Sequence, residues 1–296
     1  MPILFTCPHC GAQTNVDDRY AGQSGPCAQC GRTITVPLPG AMPGQGGSNK
    51  TIIVLAVLGG VFFVLLVCGG LLAAMLLPAV NAAREAARRA QCTNNLRQIS
   101  VAMMQYEMTH GCLPPAYTVD KQGRRLHSWR MLLLPYLDEK ALYDQVRFDE
   151  AWDSPHNRAL ADMMPAVYRC SSNPKGAQRL QEMNETSYVV VVGSHTVFPG
   201  KQGRTMADIR DGMSNTILLV EQRAGVNWME PKDLEFDSMS FRINDASKPA
   251  IGSCHPGGAN VAFADGHIQR LDNSLDAEVL KLLLMADDGK PVRVPE

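Results

Sequence analysis

The sequence predicts an α+β protein preceded by a small cysteine-bearing module, and three observations predict it. Two Cys-x-x-Cys pairs stand in the first thirty residues, an uncharged run from Thr51 to Leu77 opens a helical stretch reaching Met108, and short apolar runs bounded by turn residues fill much of the remainder. At 296 residues the chain is longer than one compact core requires, so two unequal parts are expected. A net charge of -1 gives no global attraction to nucleic acid or to an anionic membrane surface.

Residues 1–36 hold Cys7-Pro8-His9-Cys10 and Cys27-Ala28-Gln29-Cys30, each followed directly by a glycine, Gly11 and Gly31. That spacing lets backbone N–H groups support the thiolates while four sulfurs converge tetrahedrally, the pattern of a zinc ribbon. Four ligands close the site, so the zinc is expected to be structural and to supply stability that so small a core lacks. Two disulfides or idle thiols are the competing reading, and the pairing and spacing favour zinc. Arg19 and Arg32 are offset by Asp17 and Asp18, which leaves a thin basic footprint and no clear nucleic-acid surface.

Residues 37–50, rich in Pro and Gly, read as a flexible linker. The run 51–77 is long enough, at about 1.5 Å per residue, to cross a hydrocarbon core of about 30 Å. Gly59-Gly60 and Gly69-Gly70 would weaken a helix in water but favour close helix contacts in lipid, which points to a transmembrane helix in preference to a buried one. Its place after a complete ribbon argues for a retained anchor over a cleaved signal. Residues 78–110 extend the helix: Pro78 is expected to kink it without ending it, and Ala79–Met108 contains no other Pro and no Gly. Cys92, Leu96, Ile99, Met103 and Tyr106 recur at four, three, four and three residues, one stripe that needs a partner surface. Gly111 and Pro114-Pro115 end the helix.

Residues 111–296 read as a mixed domain. Helices are expected around Ser128–Val146 and Pro155–Met164, and strands at Tyr188–Val192, Thr216–Val220, Asn260–Ala264 and His267–Leu271. Asp265-Gly266 predicts a two-residue hairpin turn with both positions at positive φ. Ser274 or Asn273 is expected to cap a last helix, Leu275–Met285, ended by Gly289.

With these residues in view, the chain resembles a large bacterial family of pilin-like proteins catalogued as a domain of unknown function. The resemblance runs through Leu77-Pro78-Ala79-Val80-Asn81-Ala82-Ala83-Arg84-Glu85-Ala86-Ala87-Arg88-Arg89 into Cys92-Thr93-Asn94-Asn95-Leu96-Arg97-Gln98-Ile99. It continues through Ser128-Trp129-Arg130, Leu134-Pro135-Tyr136-Leu137, Phe148-Asp149-Glu150, Trp152-Asp153-Ser154-Pro155-His156-Asn157, Tyr168-Arg169-Cys170 and Asp211-Gly212-Met213-Ser214-Asn215-Thr216-Ile217. Its most specific part is His255, nine residues, then Asp265-Gly266, similar to the prepilin-type processing-associated H-x9-D-G motif. The resemblance covers nearly the whole chain after residue 70. It implies a type IV pilin-like fold, a long helix packed on an antiparallel sheet, and a link to type II secretion or pseudopilin machinery. Relatives commonly enter the membrane through Gly-Phe-Thr-Leu-Ile-Glu; here the residues are Ser48-Asn49-Lys50-Thr51-Ile52-Ile53, with no Glu in the apolar run. The expected form is therefore a permanently anchored protein that keeps its N-terminal module.

Charges flanking the span, Lys50 before it and Arg84, Arg88 and Arg89 after it, point by themselves to a cytoplasmic C-terminal part. A reduced four-thiolate site and the pilin-like placement outweigh them: the expected protein is single-pass in the inner membrane, N-terminus cytoplasmic and C-terminal domain periplasmic or extracytoplasmic. Cys92, Cys112, Cys170 and Cys254 then face an oxidising space and can form up to two disulfides, with pairing left open. His255 as a metal ligand or base with Asp265, His267 or His195 competes with a loop-anchoring role, and strand length favours the anchor. Asp208, Asp211 and Glu221 resemble the acidic loops that pseudopilins use for calcium, although a turn accounts for them. Arg84, Glu85, Arg88 and Arg89 are expected on a solvated helix face with local ion pairs, and Trp129, Trp152 and Tyr136 in the core. The leading function is an envelope structural or assembly protein without catalysis, in contact with lipid and with pilin-like or secretion-system subunits, and no small-molecule substrate is indicated. A metal-dependent envelope hydrolase centred on His255 and a transmembrane sensor coupling the ribbon to the outer domain are the alternatives.

Overall fold

Short strands broken by glycine-bearing knuckles have little to bury, and residues 2–38 accordingly form two small hairpins. β1 (Ile3–Thr6) pairs antiparallel with β2 (Gln13–Val16), and β3 (Ser24–Pro26) with β4 (Thr33–Thr35). The core they share is Phe5, Cys7 and Cys27, with Val16 and Ile34 packed against it. That is too little apolar surface to offset about 1–2 kcal/mol of backbone entropy per residue. The structure, a computed structural model, describes residues 2–38, 49–170, 172, 184–290, 292 and 294. Most of the expected linker 37–50, residues 39–48, lies outside the described residues. The chain divides into two compact units, Met1–Ala74 and Met75–Glu296.

α1 (Asn49–His110) is one unbroken helix of 62 residues that runs through this division. Pro78 sits inside it without ending it, as expected, because a proline removes one hydrogen bond of the ladder and leaves the others. Every residue from Ile53 to Arg84 is exposed, and an 18-residue window there reaches a mean hydropathy of 2.7, long and apolar enough to cross a membrane. The second half behaves differently: Cys92, Leu96, Ile99 and Met103 are fully buried, and Tyr106 packs against them. Gly111 takes up φ +74° just past the helix and donates its N–H to the Glu107 carbonyl at 2.7 Å, the left-handed stop that favours glycine.

In the second unit, β5 (Tyr117–Val119) and β6 (Arg125–Ser128) form a hairpin. The helices expected around 128–146 and 155–164 are short turns: α2 (Trp129–Leu132), a 3-10 turn Leu134–Leu137, α3 (Lys140–Tyr143), α4 (Pro155–Arg158) and a 3-10 turn Ala161–Met163. Asp138 interrupts any longer helix over 128–146 by its left-handed φ of 61°. There follow β7 (Glu185–Val189), β8 (Val191–Val192), β9 (Ile217–Asn227), β10 (Leu234–Glu235), β11 (Gly258–Phe263), β12 (Ile268–Asp272) and α5 (Ala277–Leu284). The main sheet runs β12-β11-β9-β7, antiparallel throughout, while β8 and β10 pair in parallel beside it. All four strands expected from sequence are present.

Strand alternation divides the core in two. Tyr188, Val190, Leu218 and Ala262 join the α1 stripe, whereas Val189, Val191, Ile217, Val220, Val261 and Phe263 join Leu280, Leu283 and Leu284 of α5. The long helix therefore packs on one face of an antiparallel sheet, and α5 covers the other.

Three local expectations are corrected. The hairpin after β11 is a three-residue loop, Ala264–Gly266, closed by Phe263 N–H to the His267 carbonyl, and only Gly266 has positive φ, at 87°. Asp265 keeps a negative φ, and its carboxylate accepts the His267 N–H at 3.1 Å, an Asx-type bond that supports the loop. Asp276, not Ser274 or Asn273, caps the last helix, accepting from Glu278 N–H and Val279 N–H; Ser274 is held instead by Asp272. That helix ends at Leu284, ahead of Gly289, whose φ of +74° serves a later turn held by Asp211.

Candidate functional site

The two cysteine knuckles are built alike. In the first, Cys7 N–H donates to the Ala12 carbonyl and Gly11 N–H to the Cys7 carbonyl, both at 2.9 Å; in the second, Cys27 N–H donates to Arg32 and Gly31 N–H to Cys27, at 2.9 and 2.8 Å. Gly11 and Gly31 stand at φ +72° and +70°, where a Cβ would be strained. These turns bring the Cys7, Cys10, Cys27 and Cys30 sulfurs within 4.8 Å of one another, with Cys7–Cys30 and Cys10–Cys27 each at 3.9 Å. Backbone N–H groups of Cys30 and Gln29 draw the Cys27 thiol down to about 6, whereas at Cys10 an Ala12 backbone hydrogen bond is outweighed by the neighbouring Cys7 sulfur and desolvation, which push the thiol up to about 12, so without an ion the four sulfurs share their protons unevenly. The four cysteines predicted from sequence thus form one cluster able to hold a single metal ion.

A second cluster lies inside the other unit. Cys92 of α1, Cys170 and His255 are buried, and their ligand atoms also fall within 4.8 Å of one another. The two sulfurs are 3.1 Å apart. His255 Nδ1 meets the Glu85 carboxylate at 2.5 Å, two helical turns before Cys92, while its Nε2 is buried without a hydrogen-bond partner. Arg88 holds the same carboxylate at 2.7 Å and also donates to Ser172. Burial opposes a charged His255 ring, but Cys92 and Glu85 outweigh it and hold its pKa above the ordinary histidine value. The hydrogen bond from His255 keeps Glu85 below the usual carboxylate range. Glu85 and Arg88 are therefore half-buried partners of the domain, which corrects their expected place on a solvated face; only the ion pair between them was expected.

His255 does not meet Asp265, His267 or His195. β11 separates His255 from the turn by six residues, about 20 Å at 3.4 Å per residue. At the turn Asp265 binds the His267 ring at 2.6 Å, and that ring stacks on Phe263; His195 pairs instead with Asp287. Asp208, Asp211 and Glu221 are likewise apart in role. Asp208 closes a capping box with Thr205, Asp211 accepts the Asp288 and Gly289 N–H groups, and buried Glu221 accepts from Asn260. The sequence reading missed one buried constellation entirely: Arg130 and Asp233 pair at 2.7 Å with side chains 0% and 1% exposed, braced by Trp129 Nε1, the Tyr188 carbonyl and Val190 N–H. Trp129 is buried, and Trp152 and Tyr136 pack against the same core, as expected. The spacing of Glu85 and Cys92, seven residues on one helix face, was the available sign that the acid belongs to the buried stripe.

Comparison with known families adds the decisive observation. Residues 81–241, more than half the chain, match the family described as "Protein of unknown function (DUF1559)". The chain belongs to that family. The DUF1559 match opens on α1 just before Glu85 and takes in Cys92 and Cys170, while the four-cysteine module and His255 lie outside it. No curated protein matches the chain. No solved structure matches it either.

Proposed function

We propose that this chain is a membrane-anchored, pilin- or pseudopilin-like structural or assembly protein of the bacterial envelope, with a zinc ribbon in the cytoplasm and its larger domain outside. The observation that carries the reading is the contrast within α1. Its apolar first half is exposed from Ile53 to Arg84, and its second half is buried on an antiparallel sheet through Cys92, Leu96, Ile99 and Met103. An exposed apolar run of this length is costly in water and at home in lipid. The helix-on-sheet packing and the H-x9-D-G spacing support the pilin-like assignment.

Zinc suits the ribbon because the four sulfurs lie within 4.8 Å of one another and two of their pairs stand at 3.9 Å, close to the roughly 3.8 Å expected around a tetrahedral ion with Zn–S near 2.3 Å. Cys7, Cys10, Cys27 and Cys30 would hold it, and its role there is to tie two hairpins that share too small a core. No catalysis is proposed. A hydrolase centred on His255 would need substrate to reach a ring that is 2% exposed. Lipid and pilin-like or secretion-system subunits are the proposed partners.

Two measurements on the full-length chain test the reading. It should stay with membranes in alkaline carbonate, and protease added to spheroplasts should degrade the C-terminal domain while sparing the ribbon. Release by carbonate, or equal access to both ends from one side, would refute the anchored arrangement. Detergent extracts should also yield a reproducible envelope partner; its absence would count against an assembly role.

A further inference from the structure

The cluster of Cys92, Cys170, His255 and Glu85 has no part in anchoring or in the ribbon, yet it brings together residues from α1, the segment after Tyr168 and the loop before β11. Its sulfur geometry separates it from the ribbon. Two thiolates on one zinc stand about 3.8 Å apart, as the ribbon sulfurs do; at 3.1 Å the S–Zn–S angle would fall to about 85° in place of about 109°. Sulfurs this close, on residues 78 apart in sequence, are placed to bond to each other.

We infer that Cys92 and Cys170 form a disulfide in the mature protein, and that the Glu85–His255 pair takes up the Cys92 proton as that bond closes. The inference rests on the proposed placement of the larger domain outside the cytoplasm, where disulfides persist. The co-reactant is a protein or small-molecule disulfide. Before its segment packs, the Cys170 thiolate attacks one sulfur of that oxidant, releasing the other as a thiolate and leaving a mixed disulfide on Cys170. As α1 packs, His255 Nε2, the ring nitrogen with no other partner, accepts the Cys92 proton, and Glu85 on Nδ1 stabilises the imidazolium. The Cys92 thiolate then attacks the Cys170 sulfur, and the second oxidant thiolate leaves with the proton from His255. One disulfide is reduced to two thiols and two thiols become one disulfide. The groups facing His255 are Glu85 and Cys92 of α1, Cys170 of the segment after Tyr168, and Glu221 of β9, with Cys254 adjacent in sequence and Arg88 on the far side of Glu85. His255 and Glu85 are positioning residues for this step, and the bond staples α1 to the segment that follows Tyr168.

The test uses the full-length chain in its membrane, quenched in acid, alkylated with N-ethylmaleimide and mapped by mass spectrometry. A bridged Cys92–Cys170 peptide is expected, with Cys7, Cys10, Cys27 and Cys30 alkylated. Both thiols alkylated in a chain whose larger domain is open to external protease would overturn the inference. If that domain proves protected, the topology fails separately, and the purified reduced chain decides: closure of Cys92–Cys170 by oxidised glutathione ahead of other pairs upholds the inference, and no such closure ends it. Two zinc ions per chain, falling to one in Cys92→Ser, would show a metal centre in place of the bond and also overturn it. For the positioning role, the reduced chain is diluted from urea into oxidised glutathione across pH 5.5–9. His255→Gln should close the pair about tenfold more slowly near pH 7, with the rate rising only toward the ordinary thiol range near 8.5. An unchanged pH profile would remove the role from His255. If His255→Gln does not fold, Glu85→Gln carries the same measurement, with a smaller slowing expected.

Discussion

At the scale of single residues, the buried charges set the sharpest expectations. Arg130 and Asp233 stand inside the core with every guanidinium contact supplied by the protein, so removing one partner strands the other. Asp233→Ala should lower the unfolding free energy by about 3–5 kcal/mol. The loss is read as an earlier melt in tryptophan fluorescence, since Trp129, Trp152 and Trp228 all lie in the larger unit. The Glu85–His255 pair sets a pH window. A histidine whose folded pKa is raised stabilises fully below its unfolded value near 6.5, and that contribution is lost as pH rises through the folded value. Glu85, lowered from 4.5, contributes above that value, and its share is lost as pH falls through the folded one. The melting temperature of the reduced chain, in which the Cys92 thiol and Glu85 both raise the ring, should therefore drop as pH rises past about 6.5, and His255→Gln should flatten that drop. A parallel slope in the variant would assign the pH dependence to other groups. Neither pair was legible beforehand, because Arg130 and Asp233 lie 103 residues apart and Glu85 and His255 lie 170 apart.

At the scale of elements, α1 carries two chemistries along one helix. Its exposed half was legible from composition alone, and its buried stripe from a three-and-four spacing that places Cys92, Leu96, Ile99 and Met103 on one side. Leu96→Ala removes fully buried volume between helix and sheet and should cost about 2–5 kcal/mol in the same fluorescence melt. Leu65→Ala, at a position 65% exposed, should leave that melt unchanged. Equal effects would mean that the two halves do not differ as described. Short elements were less legible. The turn at Asp265-Gly266 was placed correctly but given the wrong geometry, since a carboxylate that binds the next N–H supports a three-residue loop as readily as a tight one. The last helix shows the same competition: Asn273, Ser274 and Asp276 are all able to cap, and pairing of Ser274 with Asp272 leaves Asp276 for the helix.

At the scale of the whole molecule, the two units differ in what can hold them together: the smaller has four cysteines able to hold a metal ion over a very small core, and the larger has a sheet covered on both faces. Purified chain should carry one zinc per molecule, and a strong chelator should remove it and open residues 2–38 to protease; a chelated module that stays resistant would mean that its hairpins stand without metal. The sequence alone determined what is local or periodic. Cys-x-x-Cys spacing, an uncharged run long enough for a bilayer, a helical stripe and apolar strand runs each follow from a few neighbouring residues and a fixed backbone repeat. Only the tertiary structure decided which buried group meets which. That His255 leaves Asp265 for Glu85 and two cysteines, and that Arg130 finds Asp233, depends on how a sheet and a helix stack, and no local spacing encodes the contact of residues so far apart in the chain.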